Sequence, residues 1–283
     1  MDNEIKIIFF GTPELAVFVL EELKNGGILP SLVITTPDKP VGRGMNLTPP
    51  PTKVWAEKNF ISTFQPKTLK DESALQAIKD EGPWDLFIVA AYGKIIPKEV
   101  LDIPKHGTLN IHPSLLPKYR GPSPIESAIL SGDDETGVSV ILLDEEMDHG
   151  DIIQTKKLKI ESMNKEELGE KLFRTGGKML VEIIPKWITG KIKAKEQDHS
   201  KATFTKKITK EDGLIDLSDN AETNWHKFRA YYGWPGIYFF TKKETRIKIT
   251  DAALENGKFV IKKVIPEGKK EIDYSQFLKK ISE

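Results

Sequence analysis

Short apolar runs recur along the first two thirds of the chain, at residues 5–10, 32–36, 85–92, 108–112 and 138–144. Their apolar residues are nearly continuous rather than alternating, which is typical of strands buried on both faces of a parallel sheet. Stretches with helical spacing lie between most of these runs. The pattern therefore predicts an α/β fold, with a Rossmann-like, mostly parallel sheet and helices on both faces.

The turn after the first strand has a clear local signature. Gly11 ends the strand, Thr12 can cap the next helix, and Pro13 suits the first helical position. The Gly-x-Gly-x-x-Gly spacing of dinucleotide-binding turns is missing, which argues against a nicotinamide-dependent dehydrogenase. Farther along, residues 164–189 carry an apolar stripe and predict a long helix that covers the sheet edge.

The last third of the chain has a different character. A polar segment without apolar periodicity predicts a linker over residues 191–208, after a first domain at 1–190. Short runs such as GIYFF, TRIKIT and KFVIKKV follow it, separated by turn residues. They predict a small β-rich domain over residues 209–283.

Composition narrows the chemistry. The 283 residues include no cysteine, which excludes disulfides, thiolate nucleophiles and cysteine-based metal centres. No secretion signal or membrane-spanning run is visible, so we expect a cytoplasmic protein without a membrane partner. The net charge is zero, but residues 186–283 hold 21 Lys and Arg against 14 Asp and Glu. This basic excess fits either a polyanionic partner or an ordinary lysine-rich surface.

Two polar side chains stand out at the end of an apolar strand. Asn110 and His112 are two residues apart, so they share one face while Leu109 and Ile111 share the other. Pro113 cannot continue the strand, and a Pro-rich loop follows it. The pair should therefore lie where the sheet ends and ligands bind, with His112 as a general base or an oxyanion stabiliser.

An acidic run, LDEEMDHGD, follows the next apolar strand at residues 143–151. A carboxylate from this run near His112 would orient the imidazole and stabilise its charged form. Asp144, Asp148 and Asp151 are equal candidates on sequence alone. The run lacks the Asp spacing and terminal Glu of a calcium loop, so no metal is predicted.

Two further segments carry candidate contacts. The loop over residues 36–53 is long and rich in Gly and Pro, and its Lys39, Arg43 and Lys53 suggest contact with an anion or phosphate. The alternative is a mobile connector without a function. The aromatic cluster RAYYGWPGIYFF would pack into the core of the small β domain or, less favourably, stack on bases.

Several of these motifs together resemble the folate-dependent formyltransferases over nearly the whole chain. The motifs FFGTPELA, TTPDKPVGRG, AAYGKIIP, LNIHPSLLPKYRGPSPI and LDEEMDHGDI occur in the family's order and spacing. The resemblance implies a catalytic triad of Asn110, His112 and Asp148. It also implies a tetrahydrofolate-binding segment at Ser114, Leu115, Leu116 and Pro117, and a tRNA-contacting loop with Lys39 and Arg43.

The implied reaction moves a formyl group from 10-formyltetrahydrofolate to the α-amine of initiator methionyl-tRNA, without a metal and by a monomer. The implied second domain is an OB-like β-barrel, shortened because few residues separate TRIKIT from the next strand. Two alternatives stay open. One is a formyltransferase for a sugar nucleotide or another small amine, which is not expected to carry the PDKPVGRG loop. The other is an RNA-binding protein that has lost catalysis.

Overall fold

A computed structural model describes residues 5–42 and 44–282 of the chain, so Arg43 lies outside the described residues. The contacts divide the chain into two compact units. The first comprises residues 1–120, 137–158 and 169–203, and the second comprises residues 121–136, 159–168 and 204–283. The predicted division at residues 190 and 209 stays a prediction.

The first unit is built on a seven-stranded sheet and contains a separate two-stranded hairpin. The strands in chain order are β1 Ile7–Gly11, β2 Leu32–Ile34, β3 Lys39–Val41, β4 Asn46–Thr48, β5 Ser62–Phe64, β6 Leu86–Ala90, β7 Thr108–His112, β8 Glu135–Leu142 and β9 Ile152–Lys159. The hairpin is formed by β3 and β4, and the order of strands in the sheet is β5-β2-β1-β6-β7-β8-β9. Strands β5, β2, β1, β6 and β7 pair in parallel, whereas β8 runs antiparallel to β7. The predicted mostly parallel sheet is confirmed.

Helices cover both faces of this sheet, as predicted. They are α1 Glu14–Asn25, α2 Pro51–Lys58, α3 Glu72–Asp80, α4 Lys98–Leu101 and α6 Lys165–Ile188. On one face, Phe10 and Phe87 pack with Ile78 of α3 and Val100 of α4. On the other face, Gly176 of α6 lies so close to Ile111 that a Cβ would come within 2.7 Å of its Cγ2.

The start of α1 differs from the prediction. Pro13 is the residue that precedes the helix, and no side chain caps it. Thr12 instead donates its hydroxyl hydrogen to the Tyr92 carbonyl, 3.2 Å away. The predicted cap at Thr12 is wrong, because the Thr12 hydroxyl binds the Tyr92 carbonyl and not an amide at the start of the helix.

The second unit contains a four-stranded antiparallel sheet in the described residues. Its strands are β10 Ile237–Phe240, β11 Arg246–Glu255, β12 Lys258–Pro266 and β13 Ile272–Asp273, and its helices are α5 Pro124–Leu130, α7 Ala221–Ala230 and α8 Tyr274–Ser282. The β-rich C-terminal domain is confirmed. Its four described strands form one open antiparallel sheet, which does not close into the barrel that the resemblance implies. No helix in the described part of the chain is both long and apolar enough to span a bilayer.

Candidate active site

The site begins with strand β7, which lies between β6 and β8 in the middle of the sheet. Asn110 pairs with Val89 of β6, and His112 pairs with Ser139 of β8. The opposite face of β7 carries Ile111, which packs under α6. Alternation along the strand therefore puts Asn110 and His112 on a common face, as the sequence predicted.

The His112 imidazole is held at both nitrogens. Its Nε2 lies 2.9 Å from the Tyr119 carbonyl oxygen, and its Nδ1 lies 3.3 Å from Asp148 Oδ1. A carbonyl can only accept, so Nε2 must carry a hydrogen. The His112 side chain is 5% exposed and the Asp148 side chain 14% exposed. The Asp148 carboxylate is therefore the more solvent-exposed member of this pair.

The loop that carries Asp148 is shaped by a close backbone approach. A Cβ on Gly150 would lie 1.8 Å from the Leu142 carbonyl oxygen, so only glycine fits there. The Leu142 amide donates to the Asp151 carbonyl at 2.9 Å and closes the base of the loop. Asp148 itself has a φ of 52°, in the left-handed region that non-glycine residues visit rarely.

Of the three carboxylates that sequence reasoning left open, the structure brings Asp148 to His112. Asp144 instead accepts a hydrogen bond from the Glu146 amide and lies 2.6 Å from His149 Nδ1. The Asp151 side chain is exposed.

Ser114, in the predicted folate segment, is fully buried, and its polar groups are engaged within the protein. Its hydroxyl donates to the Lys118 carbonyl at 2.6 Å. Its carbonyl accepts a hydrogen bond from the Ser139 hydroxyl at 2.8 Å. The Ser139 hydroxyl oxygen in turn accepts from the Leu116 amide at 3.1 Å. Ser114 therefore shapes the loop.

The other three residues of that segment differ in burial. Leu116 is buried, whereas Leu115 and Pro117 are half-buried. A Cβ on Gly137 of β8 would come within 2.4 Å of Leu115 Cδ2, so the absence of a side chain there makes room for Leu115. Leu115 and Pro117 thus offer partly exposed apolar surface just after His112 in the chain.

Two buried residues that sequence reasoning missed are linked to the Asp148 loop, Gln197 directly and Arg120 through Gln197. Arg120 and Gln197 are each 4% exposed. The Gln197 amide donates to the Asp148 carbonyl at 2.9 Å and to the Gly150 carbonyl at 2.7 Å, while its oxygen accepts from Arg120 Nη2 at 2.7 Å. Gln197 lies in the segment predicted as a linker. No periodic signal marks it, because its contacts are far away in sequence.

Lys39 and Lys53, the two described cations of the 36–53 loop, lie in different settings. Lys39 begins hairpin β3–β4 and is exposed, and the tip of the hairpin exposes Met45 and Leu47 by 69% and 68%. Lys53 forms an ion pair with Asp38 at 3.0 Å. Hydrogen bonds from Gln65 and Lys53 lower the pKa of Asp38 and tie down the base of the hairpin.

The arrangement can serve proton transfer and oxyanion stabilisation. The side-chain amide of Asn110 forms no hydrogen bond with the part of the chain that the structure describes, so its N–H groups are available to a ligand. The His112 and Asp148 pair can accept or share a proton. Among the described residues, no three His, Asp or Glu side chains are grouped so that they could hold a metal ion.

Comparisons with known proteins agree with this fold. The formyl transferase family matches residues 5–184, and the family's C-terminal domain matches residues 207–259. Methionyl-tRNA formyltransferase of Chloroflexus aurantiacus is 42% identical over 254 residues, which cover 89% of this chain and 81% of that protein.

Two solved structures share the fold at low identity. Methionyl-tRNA formyltransferase from Clostridium thermocellum is 19% identical with a TM-score of 0.61, covering 93% of this chain and 98% of that one. HypX from Aquifex aeolicus, in complex with tetrahydrofolic acid, is 17% identical with a TM-score of 0.69, covering 98% of this chain and 47% of that one. On the family match and the 42% identity over most of its length, the chain belongs to the formyl transferase family.

Proposed function

We propose that this protein transfers the formyl group of 10-formyltetrahydrofolate to the α-amino group of initiator methionyl-tRNA. The observation that carries the proposal is the pair of the buried His112 and the half-buried Asp148, 3.3 Å apart, on the same side of the sheet as the uncommitted Asn110 amide. It occurs in a chain that is 42% identical to methionyl-tRNA formyltransferases. The chemistry of acyl transfer needs both of these elements.

The reaction joins the amine nitrogen to the formyl carbon and then breaks the bond from that carbon to the folate nitrogen. Attack of the neutral amine creates a tetrahedral oxyanion, to which the Asn110 amide can donate. The His112 and Asp148 pair takes up the proton that the amine loses. A proton then goes to the departing folate nitrogen, so that the pair ends the cycle as it began.

The hydrogen bonds of His112 favour one of its two possible roles. Its Nε2 hydrogen is donated to the Tyr119 carbonyl, so this N–H is occupied and does not serve the oxyanion. The proton that the amine loses can be held between Nδ1 and the Asp148 carboxylate, and this is the proton that moves on to the folate nitrogen. We therefore assign proton transfer to the pair, and oxyanion stabilisation to Asn110.

The folate segment is proposed to act through apolar contact. The Ser114 hydroxyl and carbonyl are already engaged inside the protein. The half-buried side chains of Leu115 and Pro117 supply apolar surface, which is what most small-molecule sites offer to a ring system.

We assign tRNA contact to the hairpin that begins at the exposed Lys39, together with Arg43. A lysine on an exposed hairpin can neutralise a backbone phosphate without reading a base. The Asp38 and Lys53 ion pair and Gln65 would hold the base of the hairpin in place. We propose that the protein acts as a monomer.

A direct assay tests the proposal. The protein is incubated with 10-formyltetrahydrofolate and charged initiator tRNA, and formylmethionine is measured after deacylation. We expect wild-type turnover, a loss of at least about 10²-fold in kcat for His112→Ala, and no loss for the control His106→Ala. No product from the wild-type protein when both substrates bind would refute the proposal. Full activity of His112→Ala would refute the assigned site.

The same assay separates tRNA from a small amine as the acceptor. The double variant Lys39→Ala, Arg43→Ala should raise the KM for methionyl-tRNA. Any turnover of an amino sugar nucleotide should not change. Equal losses on both acceptors would remove the reason for assigning the hairpin to tRNA.

A further inference from the structure

Residues 197–203 run past the site and contact both the loop that carries Asp148 and the loop that follows His112. We propose that this segment, called the strap below, is a positioning device that fixes His112 and Asp148 relative to each other. Its residues do not touch the substrates and act through Asp148 and Tyr119. The inference rests on the proposed function, because a fall in kcat can be interpreted only if the protein catalyses formyl transfer.

The first half of the strap holds the Asp148 loop. The Gln197 amide nitrogen has two hydrogens, and it donates one to the Asp148 carbonyl and one to the Gly150 carbonyl. The Gln197 oxygen accepts from Arg120 Nε at 3.2 Å and from Nη2 at 2.7 Å. Because the arginine can only donate, the amide cannot rotate by 180° without losing these bonds.

The residue between those two carbonyls is held by the same strap. The His149 ring stacks on the His199 ring with centroids 4.1 Å apart and an interplanar angle of 5°. His199 Nδ1 lies 2.8 Å from Arg120 Nη2, so this nitrogen accepts. Three consecutive residues of the loop, 148–150, are therefore fixed by two residues of the strap.

The second half of the strap holds the loop that orients His112. The Thr203 hydroxyl oxygen accepts from the Tyr119 amide at 2.8 Å, and its carbonyl accepts from the Arg120 amide at 2.8 Å. The Thr203 amide donates to the Pro117 carbonyl at 3.2 Å. The Tyr119 carbonyl, which accepts from His112 Nε2, lies within this fixed stretch.

The strap thus acts on both members of the pair from one short segment. Asp148 needs such support because its left-handed backbone, with φ of 52°, is rarely adopted by a residue with a side chain. The contact that it supports is 3.3 Å long, so a small shift of either loop breaks it. A displacement of about 1 Å at a reacting group can cost about 10²-fold in rate.

The experiment replaces Gln197 by Met, which keeps the length of the side chain and removes its donors and acceptor. We expect kcat for methionyl-tRNA formylation to fall by about 10- to 100-fold, with the KM for both substrates unchanged. Gln76→Met, the same change on an exposed residue of α3, is the control and should have wild-type kinetics.

A double-mutant cycle shows whether Gln197 acts through Asp148. In the Asp148→Asn background, Gln197→Met should cause no further loss, because residues that work as one unit are not additive. A full second loss in that background would overturn the proposal. So would wild-type kcat for a folded Gln197→Met protein.

A milder variant and a measurement that needs no turnover distinguish a loss of positioning from a loss of folding. Thr203→Val removes only the hydroxyl acceptor, and we expect a smaller drop in kcat with an unchanged melting temperature. Hydrogen exchange of a peptide spanning residues 143–151 should be faster in Gln197→Met and unchanged in Gln76→Met. Unchanged exchange in Gln197→Met would overturn the role proposed for the strap, whether or not the wild-type protein is active. A wild-type protein that forms no formylmethionine would refute the proposed function, and this outcome is independent of the exchange measurement.

Discussion

The loops that carry His112 and Asp148 differ from hairpin β3–β4 in how the chain holds them. The two loops are fixed by hydrogen bonds from other segments, through Ser139, Gln197 and Thr203. The described part of the hairpin is held at its base by the Asp38 and Lys53 ion pair, and farther out it exposes the side chains of Met45 and Leu47. Both regions begin from the same parallel sheet.

The difference follows from what each region is proposed to do. Proton transfer depends on distances that must hold within a fraction of an ångström, so the catalytic loops need many fixed contacts. Phosphate contact tolerates more movement, because charge attraction falls off slowly with distance. Changes in the two loops should therefore reduce kcat, and changes in the hairpin should affect KM.

The largest effect is expected for Gly150→Ala. The new Cβ would need the space of the Leu142 carbonyl oxygen, 1.8 Å away, so the loop would have to open. We expect a loss of about 3 kcal/mol in the free energy of unfolding, together with a loss of kcat. Urea denaturation and the formylation assay check both. Gly44→Ala is the control for the free energy of unfolding, because a Cβ there would come no closer than 3.5 Å to Asn46 Nδ2, an ordinary van der Waals distance. Wild-type behaviour of Gly150→Ala would contradict the description of the loop.

The next effect is expected for Asp148→Asn, compared with the same change at Asp144. Loss of the carboxylate removes the proton acceptor beside His112, so kcat should fall by about 10²-fold. Asp144→Asn should retain wild-type kcat, because Asp144 contacts His149 and not His112. Equal losses in both variants would mean that the acidic run acts through its total charge.

A smaller effect is expected for Lys39→Ala. The KM for methionyl-tRNA should rise with kcat nearly unchanged, because the contact is made equally in the ground and transition states. The slope of log KM against log salt should fall by about 1, as for the loss of one phosphate contact. Lys24→Ala, a surface lysine at the end of α1, is the control. A drop in kcat without a change in KM would contradict the comparison.

The smallest effect is expected for Asp38→Asn and depends on pH. Hydrogen bonds from Gln65 and Lys53 lower the pKa of Asp38 below its usual 3.8. Its stabilising effect is therefore present above that pKa and lost as the pH falls through the lower folded value. Hydrogen exchange at the base of the hairpin should differ between wild type and Asp38→Asn at pH 7, with the difference shrinking below the unfolded pKa. A difference that persists in acid would assign the effect to packing.

Much of the central sheet could be predicted because buried strands are continuous apolar runs. Strand β7 runs from Thr108 to His112, as predicted. Strands β5 and β9 were not predicted, because their side chains are mostly exposed or half-buried and their sequences are correspondingly polar. The formyltransferase family was predicted from the motifs and is confirmed, whereas the roles of the site residues stay predictions.

The linker prediction shows a limit of the sequence pattern. Residues 191–208 lack apolar periodicity, which is also what a linker shows. In the structure this segment includes Gln197, which is 4% exposed and binds to carbonyls 47 and 49 residues away. A single buried amide leaves no periodic signal, so its role could not be seen before the fold was known.

The sequence by itself determined that Asn110 and His112 share a face, because the period of a strand is a local property of the backbone. It also determined that an acidic loop follows the neighbouring strand. Only the tertiary structure decided that Asp148, among three carboxylates, meets His112, and that Gln197 and Thr203 hold the two loops. These contacts join segments far apart in the chain, and their geometry depends on how the packed sheet brings loop ends together.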